Sequence, residues 1–219
     1  MNEKRILMIC MIGATALPAA SARADDFAPP PWTRGAPLST SVEWEFLTSV
    51  VSHFPSDGTE VPLIMGDFTG PPAASVHADP GFPPTWSIGD GDGEWTAGTG
   101  PFSMEFELGN WVDDEPVKFM RIQVTFAGSA PTVTSLGAIN DGDFVLGVHV
   151  GTTAFSATHV LFEYEFHPNP DFELLTLEIP AGSSIDQVVV DTISMPEPAT
   201  LALLAIGVLA ALRPRRRAS

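Results

Sequence analysis

Met120-Arg121-Ile122-Gln123-Val124-Thr125-Phe126 decides the fold. Its residues alternate with period two, which puts Met120, Ile122, Val124 and Phe126 on one face of a strand and Arg121, Gln123 and Thr125 on the other. The same texture runs from Ser41 to Ser194. Val42, Trp44 and Phe46 oppose Glu43 and Glu45, and Met104, Phe106 and Leu108 oppose Glu105 and Glu107. Val160, Phe162, Tyr164 and Phe166 oppose Glu163 and Glu165. Phe144, Leu146, Val148 and Val150 continue the pattern and are expected to face a core, as are the runs 172–179 and 185–193. No window of a dozen residues in this region carries a 3.6-residue apolar period free of Gly or Pro. The body therefore reads as all-β, a jelly-roll-like antiparallel β-sandwich of seven to ten strands. About 150 residues are enough to bury a core between two packed sheets. From Gly66 to Pro101 the density of Pro and Gly predicts long loops, with at most two short strands, around Thr85–Ile88 and Gly93–Thr96.

The segments outside this body have a different character. Residues 1–24 read as a secretory signal peptide that would form an N-terminal signal helix. Lys4-Arg5 is the charged start, Ile6 to Leu17 the apolar core, and Ala22-Arg23-Ala24 the small-residue cleavage site before Asp25, with cleavage after Ala22 as the alternative. Cys10 is not a lipoprotein cysteine, since it falls in mid-core behind Ile9. Residues 25–41, rich in Pro and small residues, read as an extended spacer before a β-sandwich domain at 42–194. Residues 195–219 form the last segment. Pro196-Glu197-Pro198 precedes an apolar run from Ala199 to Leu212 and then Arg213, Arg215, Arg216 and Arg217. Proline stops the preceding strand. The apolar run can leave water only as a helix, a C-terminal transmembrane helix whose backbone groups satisfy one another, and the arginines stay on the cytoplasmic side.

This tripartite order resembles the PEP-CTERM sorting signal of exported bacterial proteins. The resemblance implies an exosortase-type processing enzyme as partner and a transient stay in the inner membrane before transfer to the cell surface or extracellular matrix. Length agrees with a transient span. The 14 residues from Ala199 to Leu212 give a helix of about 21 Å, against a hydrocarbon core of about 30 Å. An ordinary C-terminal anchor is the rival.

Charge narrows the partners further. Between Asp25 and Met195 only Arg34, Lys118 and Arg121 are basic against 25 acids, a formal charge of −22. Such a body is repelled by nucleic acid and by anionic lipid, so nucleic acid is not a partner. With Cys10 inside the leader, the mature body has no cysteine. Disulfides, thiol catalysis and cysteine-ligated zinc are excluded together.

Several constellations carry candidate chemistry. The Glu-x-Glu strands at 43/45, 105/107 and 163/165 would suit a glycan-active hydrolase if two carboxylates shared a concave face; otherwise they are the solvated side of half-buried strands. Asp90, Asp92 and Glu94, in Asp-Gly-Asp-Gly-Glu, admit a calcium ion as the one possible cofactor, although Asp-Gly is also ordinary hairpin chemistry. Trp86, Trp95 and Trp111 would form a sugar-stacking platform if exposed together, or plug the sandwich ends if not. The five histidines are scattered singly, and there is no Gly-x-Ser-x-Gly elbow and no phosphate-cradling loop. The expected function is a non-enzymatic exported surface or matrix protein. A carbohydrate-binding module and a glycan hydrolase are the alternatives, with extracellular polysaccharide as the partner in the first.

Overall fold

The computed structural model describes residues 26–53, 72–88, 93–111, 113–140, 143–170 and 172–196. The expected signal helix and the expected transmembrane helix lie outside these residues. Among the described residues there is no helix, and none that could cross a membrane.

Within the described residues thirteen strands form two antiparallel sheets. In chain order they are β1 (Ser39–Trp44), β2 (Ser52–His53), β3 (Ala73–Ala78), β4 (Thr85–Ile88), β5 (Gly93–Thr96), β6 (Phe102–Gly109) and β7 (Val117–Ala127). There follow β8 (Thr132–Asn140), β9 (Asp143–Leu146), β10 (Val148–Ala154), β11 (His159–Phe166), β12 (Phe172–Ile179) and β13 (Ser184–Met195). The first sheet runs β10-β11-β7-β13-β5-β4, with β1 also on β13, and the second runs β2-β3-β6-β12-β8-β9. The count exceeds the seven to ten expected. Strand β3 lies where only loops were read, and the single run from Phe144 is divided between two sheets at Gly147.

The core is what the alternation selects. Trp44, Met104, Phe106, Met120, Ile122, Val124, Leu175, Leu177 and Val190 are all buried between the sheets. Trp44 meets Phe106 edge-on across the gap, centroids 5.0 Å apart, the arrangement that aromatic quadrupoles prefer.

One expectation fails here. Phe144, Leu146, Val148 and Val150 are 61, 66, 57 and 53 % exposed. They sit on β9 and β10, the outermost strands of the two sheets on one side of the sandwich. In β9 it is Val145, not Phe144, that pairs with Ala138 and packs on the core. A β-bulge between His149 and Gly151 then shifts the register of β10. Period two reports which residues share a side of a strand, and at an edge the apolar side need not be covered.

The stretch read as spacer also differs. Strand β1 begins at Ser39, and residues 26–38 lie packed on the outer face of the first sheet. Ala28 is 5 % exposed and donates its N–H to Gln123 Oε1 at 2.9 Å, and Phe27 stacks edge-on against Phe155 and His159. Proline-rich chain needs no ladder partner, so it can lie across a sheet as an extended strap when side chains below satisfy its backbone.

Candidate functional site

Strand register builds a row across the outer face of the first sheet: Ser41, Asp191, Arg121, Glu163 and Gly151. The strap closes over this row through charge. Arg34 forks onto Asp191, Nε to Oδ1 at 2.6 Å and Nη2 to Oδ2 at 2.7 Å. Its Nη1 reaches Asp26 Oδ2 at 2.6 Å. Gln123 Nε2 donates to Asp26 Oδ1 at 2.9 Å, and Arg121 Nη1 to the Pro29 carbonyl at 2.8 Å. Arg121 Nε also pairs with Glu163 Oε1 at 3.1 Å. The bond to Asp191, outweighing the cost of burial, holds the Arg34 guanidinium above its ordinary pKa. Asp191 itself is fully buried. Residues 26–38 therefore cover the Asp191 and Arg121 part of the row, while Glu163 at its other end stays partly exposed.

Glu163 and Glu165 lie on this outer face, whereas Glu105 and Glu107 lie on the outer face of the other sheet. Packed sheets stand about 10 Å apart even before side chains are added, so these two pairs cannot share a cleft. Glu43 accepts from Gln187 Nε2 at 3.0 Å.

The indoles are also separated. Trp95, 5 % exposed, donates from Nε1 to His53 Nε2 at 3.0 Å. Trp86, its direct cross-strand partner, is half-buried and donates to the Phe46 carbonyl at 2.8 Å. Trp111 donates to the Ser39 carbonyl at 3.1 Å. On β13, Ile185 marks the level of Trp95 and Ile193 the level of Ser39. Eight residues of strand separate those levels, roughly 26 Å. The three rings do not form one platform.

Of the residues read as calcium ligands, Asp90 and Asp92 lie outside the described residues, and Glu94 accepts from Ser87 Oγ at 3.1 Å. Among the described residues no three His, Cys, Asp or Glu side chains converge as metal ligands do.

One juxtaposition was not legible in the sequence. His77, Ser103 and Glu178 are direct neighbours across β3, β6 and β12 and border a depression of about 240 Å³ together with Asp79. The order is wrong for a hydrolytic triad, in which the imidazole stands between hydroxyl and acid; here the serine stands between. Only the register of three strands brings them together, and no local motif marks them.

The most distinctive polar cluster is internal. Lys118 and Glu173, both 0 % exposed, pair at 2.7 Å between the two sheets. Burial pushes the Glu173 carboxyl above the usual range, against the opposing pull of Lys118, and its Oε2 has no hydrogen-bond partner. Alongside, Asn169 Nδ2 donates to Ser194 Oγ at 3.2 Å and to Asp113 Oδ1 at 3.0 Å. Asn110 Nδ2 donates to Asn169 Oδ1 at 3.3 Å and to the Pro170 carbonyl. This network clamps the last residues of β13, the strand that hands the chain over to Pro196.

No curated protein matches the chain. What does match is the segment that β13 leads into: residues 196–217 carry the PEP-CTERM protein-sorting motif.

Proposed function

We propose that this chain is a non-enzymatic β-sandwich protein held in the inner membrane through its C-terminal segment, then processed by an exosortase and delivered to the cell surface or extracellular matrix. The observation that carries the reading is the sorting motif at 196–217, set immediately after the central strand of a folded body. The dispersal of the glutamate pairs over two opposite faces and of the tryptophans over two levels supports a structural role over catalysis or sugar stacking.

The test is fractionation. An epitope tag placed in the exposed turn at Ser129 and another after Ser219 report body and tail separately. In cells with an active exosortase the body should reach the surface or medium without the C-terminal tag. In cells lacking one, both tags should stay together in the inner membrane. A C-terminal tag that persists on the surface-localised protein would overturn the processing step.

A further inference from the structure

Strand β13 is a middle strand of its sheet. It pairs with β7 up to Met195, opposite Val117, and with β1 up to Ile193. Only Pro196, Glu197 and Pro198 stand between Met195 and the apolar run starting at Ala199. At no more than about 3.6 Å per residue, the four steps from Met195 to Ala199 reach at most about 14 Å.

The register shows what else lies at this end of the sandwich. Ile193 shares a row with Phe119, Glu165 and Val148. In the other sheet Gly109, Phe172, position 139 and Phe144 share a row, and the bonds from Asn110 to Asn169 and from Asn169 to Ser194 bring the two rows to the same end. Phe144 and Val148 are more than half exposed. Asp113, Asp114 and Glu115 precede β7 at this same end.

Resting on the reading that residues 199–212 enter a bilayer, the geometry points to an end-on contact between sandwich and membrane. The body stands on the end that carries Met195, with Phe144 and Val148 against the lipid interface and Asp114 and Glu115 in the headgroup water. A tether of only three residues on a paired central strand leaves the body little freedom to move away from the bilayer. Apolar side chains held at that distance gain by leaving water. A second copy is a poorer occupant of this end, because it would set two groups of acids against each other within about a Debye length of 8 Å. The same acids make neutral headgroups the preferred surface over anionic ones.

The full-length gene with Cys10→Ser, so that the only thiol is an introduced one, tests this. The exported protein is purified from membranes with a fluorophore at Val148→Cys or at Ser129→Cys, and reconstituted into phosphatidylcholine vesicles containing nitroxide-headgroup lipid. Ser129 follows the far end of β7, whose 11 residues span about 33 Å. The Val148 label should be quenched at least twofold more than the Ser129 label, and less so when phosphatidylglycerol replaces half the lipid. Equal quenching of the two labels in protein that sediments with vesicles overturns the end-on contact and leaves the anchor intact. Protein that does not sediment with vesicles overturns the anchor and this contact together. Self-quenching that rises with protein-to-lipid ratio, without lipid quenching, assigns the surface to a second copy instead.

Discussion

The Lys118–Glu173 pair makes the sharpest demand on the physics of this fold. Both side chains are fully buried and joined by one contact of 2.7 Å, so removing the cation strands a carboxylate in the core. Lys118→Met should cost about 3–5 kcal/mol at pH 7. For a domain of this size each kcal/mol moves Tm by about 2–4 °C, so the midpoint should fall by about 6–20 °C. The double variant Lys118→Met, Glu173→Leu removes both charges and keeps apolar volume. It should match the parent or exceed it by about 1–4 kcal/mol. The pH dependence carries a definite sign. Burial raises the folded pKa of Glu173 above its unfolded value, so between the two values the folded state binds more protons, and stability falls as pH rises through that window. Without Lys118 to oppose the shift, the Lys118→Met variant should regain stability as pH is lowered from 7 towards 4.5, and the double variant should lose this response. Urea unfolding followed by tryptophan fluorescence measures all three chains across pH. A Lys118→Met chain as stable as the parent at pH 7, or one whose stability is flat with pH, would refute the reasoning.

Other outcomes follow from single contacts. His53 accepts from Trp95 through Nε2 and its pKa is lowered by burial. The unfolded state therefore binds more protons below pH 6.5, and stability should fall as pH drops through that value; in His53→Gln that slope should vanish from urea midpoints. Arg34→Ala leaves Asp191 buried beneath the strap, with an expected loss of about 3 kcal/mol or more. Limited proteolysis should then cut within 26–38 at protease levels that spare the parent, and an unchanged cleavage rate would contradict the clasp. A Cβ at Gly93 would overlap the Phe46 carbonyl oxygen, whereas one at Gly137 would overlap only the exposed ring of Phe144. Gly93→Ala should thus cost about 1–3 kcal/mol of overpacking, and Gly137→Ala distinctly less, because Phe144 can swing into water.

How much could be read in advance depends on the range of the interaction. Period-two alternation found β1, β6, β7, β11, β12 and β13 because burial on one side of a pleat is written into neighbouring residues. It missed β3, where Ala73-Ala74-Ser75-Val76-His77-Ala78 carries too little apolar contrast to show a face. It misplaced Phe144 to Val150, because alternation does not reveal whether the apolar side meets a second sheet. For the candidate sites, Glu-x-Glu was visible as a pattern. That its copies fall on opposite faces was not, since sheet membership is set by pairing between residues far apart in the chain.

The sequence by itself determined the β character of the body, its acidic charge, and the sorting motif, whose box, apolar run and arginines are contiguous and need no fold to be recognised. Tertiary structure alone decided that the outward-facing Arg121, Gln123 and Asp191 lie under residues 26–38, that Lys118 meets Glu173 across the core, and that the strand leading to Pro196 is a paired central one. The division has one physical cause. Local chemistry sets what each strand presents on its two sides, while register and sheet packing set what those sides touch.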